Sequence, residues 1–345
     1  MMDTVKSFLR GVMDVAMVVI PLSVVLGIIF GPAVPFIGAD VIDNISALVR
    51  DLGGSGLVGK HLKDVLPDAV YISSRDYDLM DLNRVDDMMS FFKPKIVIHL
   101  AARVGNLFDN MNHPVDYLEQ NITMSSNVLR KCHEYNVERV VSMLSTCIYP
   151  DIVEIYPMVE KDLFNGPPPP TNFSYGIAKR CMATHIDSYV KQYNKKWSYM
   201  IPCNLYGEYD KYGEHHSHFV SALIKKIYES DKILNLWGSG TPLRQYMYGG
   251  DLARVIKYVI ENDINENINV APKEVYTIQQ MAEIGKRERD KEFLKLQFDK
   301  TKPDGQFRKD VDSSKLLSFL KDFKFTPLDV GIRRVYDNFS KRYHR

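Results

Sequence analysis

At 345 residues the chain has room for roughly two domains and one or two sizeable cores. Its 44 Lys and Arg against 43 Asp and Glu leave a formal net charge of +1, too little field of one sign to draw it onto nucleic acid. Apolar residues at 45% and charged residues at 25% exclude wholesale disorder and a polytopic membrane protein.

The first element in chain order departs from that picture. Residues 15–39 carry no charge and follow Lys6 and Arg10, which is long enough to cross a bilayer core of ~30 Å with the basic end inside. Pro21, Gly31, Pro32 and Pro35 and the absence of an amphipathic period make a water-soluble helix the weaker reading than an anchor or uncleaved signal. Beyond residue 52 strand-like and helix-like stretches alternate, as in a parallel sheet with crossover helices. The apolar runs at 69–73, 96–102 and 140–145 predict strands buried on both faces. The stretches at 85–92, 117–135 and 175–193 have helical spacing, and 197–207 predicts a further strand. From about Asn204 the alternation loosens. The charged run at 285–293 predicts a solvated helix face, and 166–170 (GPPPP) a rigid surface loop. Cys132, Cys147, Cys181 and Cys203 form no C-x-x-C pair, which argues against a disulfide framework or zinc knuckle and for a reducing, cytosolic compartment.

Two motifs carry chemistry. Gly53, Gly56 and Gly59 make GxxGxxG, overlapped by GxGxxG through Gly54, and either lets backbone approach a pyrophosphate at a helix N-terminus. A helix-like LVGKHLKDVL and the strand AVYIS follow at βαβ distances, which disfavours a mere Gly/Ser linker. Where an NAD site wants an acid about 20 residues on, the strand tip reads Ser73-Ser74-Arg75, which favours a 2′-phosphate and NADPH; Asp76 beside it leaves NADH open. Tyr175 and Lys179 lie one turn apart on one helix face, where a cation is expected to lower the phenol's pKa. Tyr228 and Lys232 repeat that spacing, but only Tyr175 has a strand-end hydroxyl, Ser145, upstream to polarise a carbonyl.

With these, the blocks HLAA (99–102), STCIYP (145–150), NGPP (165–168), NLYG (204–207), WGSG (237–240) and KPDG (302–305) occur in order. Together they resemble the GDP-L-fucose synthases, extended short-chain dehydrogenase/reductases also described as GDP-4-keto-6-deoxymannose 3,5-epimerase/4-reductases, from Gly53 to near the C-terminus. Colitose synthases and nucleotide-sugar 4-epimerases share fewer of these blocks.

The resemblance implies an α/β, Rossmann-type doubly wound sheet, NADP-binding over 53–203, with a smaller discontinuous substrate domain mainly in 204–345 that partly returns to the first. It implies Cys147 as base and His218 as acid, which makes chemical sense because a C4 ketone acidifies the protons at C3 and C5. His215, His216 and His218 could alternatively cluster on a metal, but no Cys or carboxylate stands at ligand spacing beside them, and no metal is expected. Tyr175 would protonate the C4 oxygen, with Ser145 on the carbonyl and Lys179 on the nicotinamide ribose. NADP(H) would further touch Gly53, Ser55, Gly56, Leu57, Val58, Gly59, Arg75, Asp81, Pro202, Asn204, Leu205 and His218. Lys226, Trp237, Arg244, Asp304 and Lys309 would surround the GDP-sugar, although Trp237 could equally be core. A homodimer is implied through paired helices, one bearing Tyr175. A 4-epimerase that retains NAD, and a membrane-tethered nucleotide-binding protein without turnover, are the rival readings.

Two departures stand out. Val104-Gly105-Asn106 replaces Val-Gly-Gly, which is expected to crowd the floor of the sugar site. Residues 1–52 match nothing in the family and read as a foreign segment. Ser46–Leu52 occupies the place of the first strand, and Arg50 and Asp51 predict weak or absent pairing there.

Overall fold

The computed structural model describes residues 47–51, 56–210, 212 and 217–343, so the run at 15–39, Gly53, Gly54, Ser55, His215 and His216 lie outside the described residues. Ala47–Asp51 is β1, Gly56–Val65 α1, Tyr71–Ser73 β2, Leu82–Phe92 α2 and Ile96–His99 β3. Leu107–Asn112 (α3) and Pro114–Glu134 (α4) precede β4, Arg139–Met143, and Phe173–Tyr193 (α5) precedes β5, Lys196–Pro202. There follow β6 (Asn204–Tyr206), α6 (Phe219–Glu229), β7 (Ile233–Trp237), β8 (Leu243–Arg244), β9 (Tyr246–Tyr248), α7 (Gly249–Glu261) and β10 (Ile268–Val270). The chain continues with β11 (Tyr276–Thr277), α8 (Ile278–Arg287), β12 (Lys295–Asp299), α9 (Ser314–Phe319) and α10 (Leu328–Tyr343).

Six strands make one parallel sheet in the order β10-β5-β4-β3-β1-β2. Every residue of β4 is buried, which is why its sequence shows no alternation. The order reverses at β1, which has β2 on one side and β3 on the other; in such sheets ligands bind beyond the carboxyl ends of the strands at that point.

β1 corrects the expectation of a missing strand. Val49, Arg50 and Asp51 pair with Tyr71, Ile72 and Ser73, while Ala47, Leu48 and Val49 pair with Ile96, Val97 and Ile98. Parallel pairing draws on backbone groups, so Ala47, Leu48 and Val49 supply the apolar stretch between both neighbours, and the two charged residues fall on the last two positions, where the register is with β2.

Buried side chains gather in two clusters. The larger packs α2, α4, α5 and α7 on the sheet and takes in Val311, Leu316 and Leu320 from the C-terminal third. The smaller joins α6, β7, β9, α8 and α10 through residues such as Leu223, Leu234, Met281 and Phe339. Each fully buried aliphatic or Phe side chain contributes roughly 1.5–3 kcal/mol of transfer free energy.

Two local expectations change. The run at 285–293 is helical only to Arg287; Lys286 is buried, and Lys291 donates to the carbonyls of Ile227, Tyr228 and Ser230, satisfying the orphan acceptors at the end of α6. In the 166–170 loop Pro168 and Pro169 are buried, and a Cβ on Gly176 would come within 2.7 Å of Pro168, so this loop packs on the first turn of α5. Among the described residues no helix is long and apolar enough to cross a membrane.

Candidate active site

The chain leaves β4 at Met143 and tightens into a short 3-10 turn over Thr146–Ile148, which Ser145 caps by accepting from the Cys147 N–H at 3.4 Å. That turn sets Cys147 at the carboxyl edge of the sheet. Asn172 Nδ2 approaches its sulfur at 3.1 Å and Lys309 Nζ at 3.3 Å. Burial pushes the thiol up, but the Lys309 charge and hydrogen bonds from Ser145, Asn172 and Lys309 outweigh it and leave Cys147 below the usual thiol range. Cys132 and Cys203, buried without such a set of donors, are pushed up instead.

Tyr175 is buried beside Cys147, in a small cluster with Ala102, Val104 and Tyr117. Its phenol is held well above the ordinary range, by burial first and then by the charges of Cys147 and Tyr117. This reverses the expected lowering by Lys179. The Lys179 ammonium is buried and donates to the Met143 carbonyl at 2.9 Å, and burial brings it down to about 7.

His218 stands at the N-cap of α6, and its Nδ1 lies 3.0 Å from Oδ1 of the buried Asp210, which also accepts from Ser221 Oγ at 2.5 Å. An ionised carboxylate only accepts, so Nδ1 is the donating nitrogen and the ring orientation is fixed. Among the described residues no group of three or more His, Cys, Asp or Glu could hold a metal ion.

Of the residues expected around a dinucleotide, Leu57, Val58 and Gly59 are buried in α1, which Gly207 and Gly249 let approach closely: a Cβ on either glycine would strike Leu57 and His61. Their side chains serve the core, and the end of α1 at Gly56, next to the reversal of strand order, offers backbone N–H groups. Arg75 is exposed just past β2, while Asp76 is drawn back onto Ser73 through its N–H and hydroxyl, both at 2.7 Å. Asp81 caps α2 through the Asn83 N–H at 2.8 Å. Pro202 closes β5, Asn204 Nδ2 donates to the Gln245 carbonyl, and Leu205 lies half-buried in β6. With Lys179 buried beside the carboxyl end of β4 and Arg75 past the end of the edge strand β2, these residues fit a dinucleotide bearing a 2′-phosphate.

The residues expected around the nucleotide separate. Trp237 ends β7 with 57% of its surface exposed, so it is not core, and Lys302 sits over its ring. Asp304 Oδ1 accepts from the Ser239 N–H at 2.6 Å, and a Cβ on Gly238, whose φ is +81°, would lie 2.2 Å from it; Asp304 therefore ties down the turn that follows Trp237. Lys226 donates to the Asn235 carbonyl, and Arg244 to those of Leu243 and Phe307. Lys309 is on the Cys147 sulfur. Asn106, expected to crowd the sugar floor, caps α3 through the Asp109 N–H. Asn172, Asp210 and Tyr117 went unnoticed in the sequence; Asn172, at the N-cap of the helix that carries Tyr175, left a trace in its spacing from that residue.

The fold and this site define a class: the chain belongs to the NAD dependent epimerase/dehydratase family, whose model matches residues 52–271. Its relatives there include proteins named GDP-L-fucose synthase and one named GDP-L-colitose synthase. It is 37% identical to a probable GDP-L-fucose synthase of Drosophila melanogaster, over 84% of this chain and 96% of that one, and 36% identical to the GDP-L-fucose synthase of Dictyostelium discoideum, over 84% and 94%. Among solved structures, a GDP-L-fucose synthetase from Naegleria fowleri bound to NADP superposes with a TM-score of 0.77 at 29% identity, covering 86% of this chain and 94% of that chain.

Proposed function

We propose that this enzyme converts GDP-4-keto-6-deoxy-D-mannose to GDP-L-fucose in one site, by 3,5-epimerisation and then reduction of the C4 ketone with NADPH. The observation that carries this reading is the pairing of Cys147, held low by its donors, with Tyr175, held protonated beside it. The first is biased towards its basic form and the second towards its acid form, which inversion followed by ketone reduction requires.

Cys147 takes the proton from C3 or C5 and the C–H electron pair passes to an enolate on the C4 oxygen. His218 gives a proton to the opposite face of the carbon. For reduction Tyr175 gives its proton to the C4 oxygen, with Ser145 donating to the same oxygen. Bound NADPH supplies the hydride for C4. The reading gives the cofactor's pyrophosphate to the loop of Gly53, Ser55 and Gly56, its 2′-phosphate to Arg75 and its nicotinamide ribose to Lys179. Trp237, with Lys226 and Arg244, takes the GDP end. It also divides the chain near residue 203 into cofactor and substrate parts, a division the two buried clusters support, and it includes a homodimer, on the superfamily's habit of pairing through the helix that carries Tyr175.

The test is NADPH oxidation followed at 340 nm with GDP-4-keto-6-deoxymannose as substrate. One NADPH consumed per GDP-L-fucose formed is expected. Sugar isomerisation without net consumption of reduced cofactor would replace this reading with an NAD-retaining 4-epimerase.

A further inference from the structure

We infer that Lys309 works on the sulfur of Cys147, as the cation that stabilises its anion, rather than on the nucleotide's diphosphate; as a role in turnover this rests on the reading of Cys147 as the base. Lys309 reaches the thiol from the segment that bridges to β8 through Arg308 and to Met158 through Val311, so two backbone contacts fix where its side chain begins. Its Nζ lies 3.3 Å from Sγ, and Asn172 Nδ2 approaches the same atom at 3.1 Å from the N-cap of α5. An ammonium has three donors and no acceptor, and the amide presents its N–H, so both groups suit an acceptor-only sulfur and neither can take a thiol proton.

The other groups around the sulfur agree. Ser145 faces it from the turn, Tyr175 from α5 and Arg244 from β8; Arg244 adds positive charge, and among these side chains none is a carboxylate. The titration of Cys147 below the ordinary thiol range is the consequence, since burial alone would drive it the other way. A thiol whose anion is favoured in this way needs less help from a separate base. In the step itself the thiolate gains the C3 or C5 proton as an S–H bond, the C–H pair moves into the enolate, and His218 gives up the proton that completes inversion. Thiol and imidazole return to their starting states by proton exchange with water. Lys309 transfers no proton, so it is a positioning residue.

The test follows alkylation of Cys147 by iodoacetamide from pH 5 to 10 in the full chain carrying Cys181→Ser, which removes the exposed thiol, with peptide mass as the readout. Lys309→Met is expected to raise the pH midpoint by at least one unit, so that alkylation at pH 7 falls about tenfold, and Lys309→Arg to restore most of it. GDP affinity, measured by calorimetry on the same proteins, is expected to change less than twofold. An unmoved midpoint in Lys309→Met together with a tenfold loss of GDP affinity would overturn the inference and return Lys309 to the diphosphate. If Lys309→Met does not fold, Lys309→Gln carries the same comparison. The alkylation needs no substrate, so a parent enzyme that alkylates as expected yet oxidises no NADPH would fault the proposed function and leave the clamp standing.

Discussion

Cys147 and His218 would work on opposite faces of one sugar, yet the protein holds them in opposite ways. The thiol hangs on a short turn, and its donors come from two other places in the chain, Asn172 at the start of α5 and Lys309 in the C-terminal third. The imidazole is set on a buried carboxylate, Asp210, eight residues before it, which Ser221 holds from the other side. A base needs its charged form stabilised by donors, and an acid needs its protonated ring stabilised by an acceptor: with the Nδ1 proton held on Asp210, the proton given up is the one on Nε2. Each station gets the partner of the sign its task demands.

The largest expected effect breaks the base station alone. Cys147→Ser should lower deuterium entry at C3 and C5 from deuterated water by about 10²–10⁴-fold, because a hydroxyl is a far poorer base than a thiolate. His218→Gln should part exchange from inversion: label still enters through the thiolate, while inverted product falls by a similar factor. NMR of the recovered sugar reads both, and equal loss of exchange in the two variants would erase the distinction between the stations. Asp210→Asn should have the next largest effect, about tenfold on inversion with exchange kept, as expected for loss of one charge-assisted hydrogen bond of ~1.5 kcal/mol. Trp237→Ala touches neither station and should raise KM for the GDP-sugar about fivefold at unchanged kcat, from loss of a ring contact of ~1 kcal/mol.

Lys179 sharpens the contrast by having neither kind of support, since its buried ammonium donates to one carbonyl and titrates near about 7. That lies below its ordinary value, so the unfolded chain binds more protons between the two. The penalty of burial is full below pH 7 and fades as pH rises towards the ordinary lysine range. Lys179→Met should therefore raise Tm of the cofactor-free protein by about 2–4 °C per kcal/mol relieved, more at pH 6 than at pH 9, while weakening NADPH binding. A Tm that rises equally at both values would mean that the buried charge is not the cause.

What the sequence disclosed follows the same division. Strands β3 and β4, buried on both faces, announced themselves as unbroken apolar runs, and Tyr175 and Lys179 were legible because a helix turns their spacing into a shared face. The identical spacing at Tyr228 and Lys232 shows the limit: Lys232 falls beyond the end of α6, and Tyr228 lies against Phe339 and Arg289. Lys309 and Cys147 are 162 residues apart, and no local pattern joins them; the backbone bridges at Arg308 and Val311 do. β1 was misread because the charges at its end were weighed as a burial cost, whereas its pairing with Ile72 and Ser73 runs through backbone groups.

The most direct test of the account is a single turnover in deuterated water with GDP-4-keto-6-deoxymannose and NADPH, the product examined by NMR and mass. The account predicts GDP-L-fucose carrying one solvent deuteron at C3 and one at C5, with one NADPH oxidised per sugar. A reduced sugar without deuterium at either carbon, or labelled product formed equally well by Cys147→Ser, would contradict it.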